Sequence, residues 1–168
     1  MPNQVTASRG AGPTQGSEGA DAVSGAQQTV HVAQDFPQPV EHVFDYLAEH
    51  ENLAPVFGAK VRRLNDGTDG SRNGAGSARE MRVGPLPPWV ETNLEVVPNE
   101  LIRYRITKGG ILKDHEGVLR FTSRSGGSHL DCTITFDGKV PGIAQIVKAK
   151  LTRDVSRAMR KLAATGSA

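Results

Sequence analysis

Three side chains in this sequence combine a chemically useful group with a place on the apolar face of a predicted strand: His115, Tyr104 and Cys132. An imidazole that titrates near neutral pH can act as a general acid or base. A tyrosine hydroxyl can orient a ligand carbonyl, and a cysteine in this setting is commonly a small core residue. His115 is therefore the candidate catalytic residue, although its place beside Asp114 at a strand start is more typical of a solvated histidine.

The remaining motifs exclude several classes of site. The single cysteine rules out a Cys-based zinc site, and no metal-binding spacing relates the histidines, which are residues 31, 42, 50, 115 and 129. The glycine-rich segment 70–76 lacks the phosphate-loop pattern, and no G-x-S-x-G motif is present. We therefore expect no metal and no cofactor. Arg79 and Glu91 are further polar candidates near the apolar face.

Composition limits the partners and the location. The chain has 168 residues, with 20 Lys and Arg against 18 Asp and Glu. A nucleic-acid-binding protein is expected to have a concentrated basic patch, and this sequence does not show one. No apolar run reaches the roughly 18 residues of a membrane-spanning helix. No secretory signal is visible, and one cysteine fits a reducing compartment. We expect a soluble, cytoplasmic protein that does not bind nucleic acid.

The chain divides into a tail and one domain. Residues 1–28 contain no Ile, Leu, Phe, Trp or Tyr. They cannot bury enough apolar surface to offset the entropy lost on ordering, so they are predicted to be a disordered tail. Residues 29–164 are long enough to form one well-buried core. Residues 165–168 are predicted to be a short flexible tail.

Hydrophobic periodicity predicts the elements of this domain. Residues 29–35 alternate as in a half-buried strand. A helix is expected after Pro39, with an apolar face made by Val40, Val43, Phe44 and Leu47. A second short helix near residues 50–55 should end or bend at Pro55. Six further strands are predicted at 59–66, 76–84, 89–98, 101–108, 118–124 and 129–137. A long amphipathic helix then begins after Pro141.

These elements predict how the domain is layered. Each strand has one apolar face that needs a cover, and only the final helix is long enough to provide it. The predicted fold is α+β, with a curved antiparallel sheet of about seven strands wrapped around a long C-terminal helix and two short helices after the first strand. This is the helix-grip arrangement. Alternation places Val90 and Leu94 on the inner face and Glu91 on the outer face.

Four segments carry a family resemblance: residues 36–47 (FPQPVEHVFDYL), 76–84 (GSAREMRVG), 90–98 (VETNLEVVP, leading to Tyr104) and 130–136 (LDCTITF). They resemble the polyketide cyclase/dehydrase and lipid-transport family of the START-like helix-grip (SRPBCC) superfamily, over about residues 29–164. The resemblance implies a protein that binds apolar small molecules, carries lipids or cyclises polyketides. Many relatives have Trp at the position of Cys132, which implies extra space there.

A sheet curled around one helix tends to leave a gap, and eight aromatic residues are few to fill it. We therefore expect a mostly apolar cavity, with an ordinary filled core as the alternative interpretation of the same residues. The ligand-binding candidates are the inward-facing residues Phe44, Leu47, Met81, Tyr104, Ile106, His115, Leu119, Phe121, Cys132, Ile134, Ile146 and Lys150.

The topology also predicts where such a cavity opens. In an up-and-down sheet alternate connections share one end, so the loops 84–89, 109–112 and 140–143 must cluster. All three are apolar and have lysines beside them. We expect the cavity mouth here, with an apolar lip formed by Leu86, Trp89, Ile111, Leu112 and Ile143. The lip can contact a membrane surface transiently, a partner protein or the tail of a ligand.

Three functions remain open. The favoured one is a non-catalytic protein that binds or carries a hydrophobic small molecule or lipid, held mainly by apolar burial. The second is a polyketide aromatase/cyclase or dehydrase-like enzyme in which His115 moves protons. The third is a protein-interaction module with a filled core, which binds its partner through the lip or the basic face of the last helix. The ligand and the oligomeric state do not follow from the sequence.

Overall fold

Seven antiparallel strands form one curved sheet around the C-terminal helix in this computed structural model, which describes residues 27–168. The strands are β1 (Gln28–Phe36), β2 (Lys60–Asn65), β3 (Ala78–Arg82), β4 (Trp89–Val97), β5 (Leu101–Gly109), β6 (Leu112–Arg124) and β7 (Gly127–Gly138). Their order in the sheet is β1-β7-β6-β5-β4-β3-β2. The predicted helix-grip fold is confirmed. Of the tail predicted for residues 1–28, residues 1–26 lie outside the described part.

Three α-helices cover the sheet: α1 (Val40–Ala48), α2 (Leu53–Phe57) and α3 (Ile143–Thr165). A 3-10 turn, His50–Asn52, joins α1 to α2. The apolar face predicted for α1 is buried, at Val40, Val43, Phe44 and Leu47. Pro55 does not end the second helix as expected. It lies in the first turn of α2, where its missing N–H is not needed for a helical hydrogen bond.

In strand β4 the predicted alternation of inward and outward side chains is wrong. Glu91 and Asn93 are buried, whereas Val90 and Leu94 are only half-buried. The register with β5 shifts between Asn93 and Glu95, so Leu94 is an extra residue in β4. The extra residue reverses which side chains face the inside of the sheet on its two sides. Glu91 therefore faces the inside of the sheet and not the outside.

Helix α3 packs through its second half, where Val155, Ala158, Met159 and Leu162 are buried. The first half is less covered, and one expectation fails there. Ile146, predicted to face the ligand, is 67% exposed. Its neighbour Val147 packs against the core instead, because successive helical residues point about 100° apart and only one of the two can face the sheet.

The C-terminal residues, predicted to be a short flexible tail, lie against α1. The backbone N–H of Ala168 donates to the Tyr46 hydroxyl at 2.8 Å, and His42 Nε2 lies 2.9 Å from the carbonyl oxygen of Gly166. Gly166 ends α3 in the left-handed conformation, with φ of 76°. Within residues 27–168 no helix is long and apolar enough to cross a bilayer.

Candidate functional site

An open cavity lies between the sheet, the end of α2 and the first half of α3. Its volume is about 670 Å³, counting the open space at its mouth. Nine predicted site residues line it: Leu86, Trp89, Tyr104, Ile106, Ile111, Leu112, His115, Ile134 and Lys150. Six further lining residues are not among the predicted site residues: Phe57, Val83, Glu91, Gly110, Val147 and Leu151.

The other predicted site residues lie elsewhere. Phe44, Met81 and Phe121 are buried in the core, and the Phe44 and Phe121 rings meet edge to face at 5.2 Å. Ile143 starts α3 beside Gly138, and neither it nor the exposed Ile146 lines the cavity. The remaining three predicted residues line a second, smaller cavity: Leu47, Leu119 and Cys132.

Three loops meet at one end of the sheet, and residues of two of them line the cavity. The N–H of Gly110 donates to the carbonyl of Pro88 at 3.2 Å, and the N–H of Lys139 donates to the carbonyl of Ile111 at 3.0 Å. The Lys139 ammonium also donates to the carbonyl of Gly110 at 2.9 Å. Loops 84–89, 109–112 and 140–143 therefore cluster, as the topology predicts.

His115 is buried on the cavity wall and is not the solvated histidine that its sequence position favours. Strand β6 begins at Leu112, six residues before the predicted start. The imidazole faces inward with the same parity as Leu119 and Phe121, and a register shift between Lys113 and Glu116, with Asp114 at a φ of 49°, alters the alternation just before it. Only 8% of His115 remains exposed. Alternation alone does not reveal this bulge.

The hydrogen bonding of His115 fixes its tautomer. The backbone N–H of Ile106 donates to His115 Nδ1 at 3.2 Å. Burial lowers the pKa of His115, so the imidazole is neutral at neutral pH and carries its proton on Nε2. In the described part of the chain Nε2 has no hydrogen-bond partner. His115 therefore offers a hydrogen-bond donor to the cavity rather than a general base.

Tyr104 lies next to His115, with ring centroids 5.7 Å apart. The guanidinium carbon of Arg79 lies 4.9 Å from the centre of the Tyr104 ring. Burial and the nearby Glu91 carboxylate raise the pKa of Tyr104, so its hydroxyl keeps its proton. That hydroxyl makes no hydrogen bond within residues 27–168. Tyr104 and His115 thus present two neutral donors side by side.

A buried ion pair supports this wall of the cavity. Arg79 Nη2 donates to Glu91 Oε2 at 2.8 Å, and the Trp89 indole N–H donates to Glu91 Oε1 at 2.9 Å. Arg79 Nη1 donates to Asn93 Oδ1 at 3.1 Å. Arg79 and Glu91 are cross-strand partners. Opposite charges facing each other across a hairpin are the sequence signal that can locate this pair.

Tyr104 and Phe57 separate the two cavities, because each lines both. Behind them Cys132 lies beside Leu119 and Met159. Burial raises the pKa of the Cys132 thiol to about 12, so it is a neutral, poorly nucleophilic group. No three His, Cys, Asp or Glu side chains among residues 27–168 are placed to hold a metal ion.

Comparison with known proteins gives one family and many similar folds. The family described as polyketide cyclase/dehydrase and lipid transport matches residues 27–166. The structure is similar to TTHA0849 of Thermus thermophilus, with a TM-score of 0.65, 18% identity and alignment of 84% of this chain and 100% of that chain. It is also similar to a START superfamily protein of Mycobacterium smegmatis, with a TM-score of 0.63, 14% identity and coverage of 80% and 98%.

A third similar structure is the Zhui aromatase/cyclase of a Streptomyces species. The TM-score is 0.56 and the identity 23%, with 82% of this chain and 84% of that chain aligned. At these identities the likeness to the three structures establishes a shared fold, and function must be argued from the site. A comparison with curated proteins gives no match.

Proposed function

The chain belongs to the polyketide cyclase/dehydrase and lipid transport family, and on that premise we propose that it binds or carries a hydrophobic small molecule or lipid in the cavity between the sheet and α3. One observation supports this most. The cavity is largely apolar, yet two of its lining residues carry neutral donors, the Tyr104 hydroxyl and His115 Nε2–H, that have no hydrogen-bond partner among residues 27–168. An apolar enclosure with a few oriented polar groups is the usual form of a ligand site.

The two donors define the chemistry of the ligand. A carbonyl or hydroxyl oxygen placed between Tyr104 and His115 accepts both hydrogen bonds and satisfies groups that are costly to leave unpaired when buried. The Glu91 carboxylate is already occupied by Arg79 and Trp89. The ligand we propose is therefore an apolar molecule with an oxygen acceptor at the end that enters first. A filled core, as in the interaction-module alternative, is not supported by an open cavity.

A second candidate function uses the same donors for catalysis. Two hydrogen-bond donors directed at one oxygen can stabilise the negative charge that develops on a carbonyl during an aldol-type ring closure or a dehydration. This supports a cyclase or dehydrase-like activity in which His115 is an electrophile. It does not support proton removal by His115, because its Nδ1 lone pair already accepts from Ile106. The other ionisable residues that line the cavity, Glu91 and Lys150, are paired with Arg79 and Asp154, so we expect the base in such a reaction to be the substrate or water.

Native mass spectrometry of the full chain purified from its own host tests the proposal. We expect a bound apolar molecule near one-to-one, identified after denaturation, and uptake of an apolar dye by the emptied protein. Ile106→Trp fills the cavity and should abolish uptake. Thr107→Trp, one residue along β5 and exposed, is the matched control and should leave uptake unchanged. An empty wild-type protein that takes up no dye contradicts the proposal.

A further inference from the structure

Large exposed apolar side chains are concentrated at one end of the molecule. Within residues 27–168 four such side chains are exposed: Leu64 at 40%, Leu86 at 37%, Val140 at 59% and Ile146 at 67%. Leu86, Val140 and Ile146 lie on or beside the loops of the cavity mouth. Leu64 lies at the opposite end, because β2 pairs with β3 so that Lys60 opposes Arg82 and Asn65 opposes Ala78.

The mouth surface is defined as the exposed residues of segments 84–89, 108–114 and 138–148. It carries Lys108, Lys113, Lys139 and Lys148 against Asp114, a formal charge of +3. The apolar tips are continuous with the cavity, because Leu86 lines it and Ile146 adjoins the lining residue Val147. The same end of the fold therefore combines protruding apolar groups, basic charge and an apolar opening.

We propose that the mouth surface docks on an anionic lipid bilayer. Leu86, Val140 and Ile146 then enter the boundary between headgroups and acyl chains, where buried apolar area contributes to binding. The lysines lie over anionic headgroups, at about 1 kcal/mol each, which corresponds to about fivefold in affinity. This goes beyond the proposed function, since docking does not require an occupied cavity, but it gives an apolar ligand a path between bilayer and cavity that avoids water.

Charge favours a bilayer over a second copy of the chain. Two mouth surfaces face to face bring like charges of +3 together, which opposes association. An anionic lipid surface instead attracts all four lysines of the mouth surface. The three apolar tips come from two of these segments, Leu86 from 84–89 and Val140 and Ile146 from 138–148, so a planar, deformable partner can contact all of them at once.

Flotation of the full chain with lipid vesicles tests docking. We expect binding to vesicles of phosphatidylcholine with phosphatidylserine, little binding to phosphatidylcholine alone, and weakening with added salt because surface charges are screened. Leu86→Asp and Ile146→Asp should each lower the partition coefficient at least about tenfold. Leu64→Asp makes the same change at the opposite end and should bind like the wild type.

The charged contribution has its own matched pair. Lys113→Gln and Lys148→Gln should each reduce binding about fivefold. Arg157→Gln and Arg160→Gln remove exposed charges from the distal half of α3 and should have little effect. All of these side chains are exposed, so the variants should keep the thermal stability of the wild type.

Three results overturn the docking proposal. The first is a wild-type protein that does not float with anionic vesicles. The second is equal loss of binding in Leu86→Asp and Leu64→Asp. The third is a dimer in sedimentation velocity that Leu86→Asp dissociates, which assigns the mouth surface to self-association. Dye uptake measured without vesicles reports on the cavity alone, so failure of docking and failure of ligand binding are distinguishable.

Discussion

The phenol ring of Tyr104 lies directly on the backbone of Gly117. A Cβ atom added to Gly117 would lie only 2.2 Å from Tyr104 Cζ and 2.5 Å from its hydroxyl oxygen. The two residues are cross-strand partners on β5 and β6. Gly117 is not among the glycines with positive φ, so glycine is needed here for space. The absent side chain makes room for the ring that forms part of the cavity wall.

Gly117→Ala should therefore destabilise the protein by about 1–3 kcal/mol, the usual cost of overpacking a core. Urea unfolding measures this change in free energy. In a Tyr104→Leu background the same substitution should cost less, because the ring that it displaces is absent. Equal costs in the two backgrounds contradict the assignment of Gly117 to the Tyr104 contact.

The tautomer of His115 is directly observable. Long-range ¹H–¹⁵N NMR should show a neutral imidazole with its proton on Nε2, and its titration midpoint should lie below the usual value because burial lowers the pKa of His115. A ligand held by Nε2–H should bind with constant affinity between about pH 7 and 8. A signal from a ring protonated on Nδ1 would contradict the hydrogen bond from the Ile106 N–H to His115 Nδ1.

Acid should weaken the fold through His50, which is fully buried next to Ser77 and has no hydrogen-bond partner for Nδ1 within residues 27–168. Burial and the charge of Arg79 lower the pKa of His50 to about 3. The unfolded histidine takes up a proton near pH 6.5, whereas the folded one resists until about pH 3. The free energy of unfolding should thus fall as pH drops below about 6.5, by up to about 1.4 kcal/mol per pH unit.

His50→Gln isolates that contribution when unfolding is measured at several pH values. The slope between about pH 5 and 6.5 should become shallower, because the glutamine does not titrate. His115 contributes in the same direction, so some slope should remain. His42→Gln, at an exposed position, is the control. A slope unchanged by His50→Gln places the effect elsewhere.

The Arg79–Glu91 pair should be costly to break from one side. Arg79→Met leaves a buried carboxylate without its charged partner and should destabilise the protein by about 3–5 kcal/mol. Arg79→Met with Glu91→Leu should recover much of that loss in chemical denaturation. Arg62→Met removes an exposed partner of Glu80 and should cost less than about 1 kcal/mol. If the double variant is as unstable as Arg79→Met, the loss is one of packing rather than charge.

Periodicity predicts the seven strands, the long helix and the clustering of the mouth loops, because those features depend on average spacing and topology. It fails at Glu91, because alternation assumes an unbroken register and the extra residue Leu94 reverses which side chains of β4 face inward. The same alternation places His115 correctly with Leu119 and Phe121, and what it misses is that β6 begins as early as Leu112. The prediction for Ile146 is wrong for a different reason. Several apolar residues of α3 lie near the side that contacts the sheet, and only the packing of the helix decides which of them are buried.

The wall that Tyr104 forms between the two cavities has a consequence for divergence within the family. A single codon change to a small residue at Tyr104 removes the ring and opens the wall beside Phe57, between the compartment behind it and the one at the mouth. The backbone and the buried Arg79–Glu91 pair need not move. Selection can therefore lengthen or shorten the space offered to a ligand in one genetic step, while the elements that hold the sheet together stay under separate constraint.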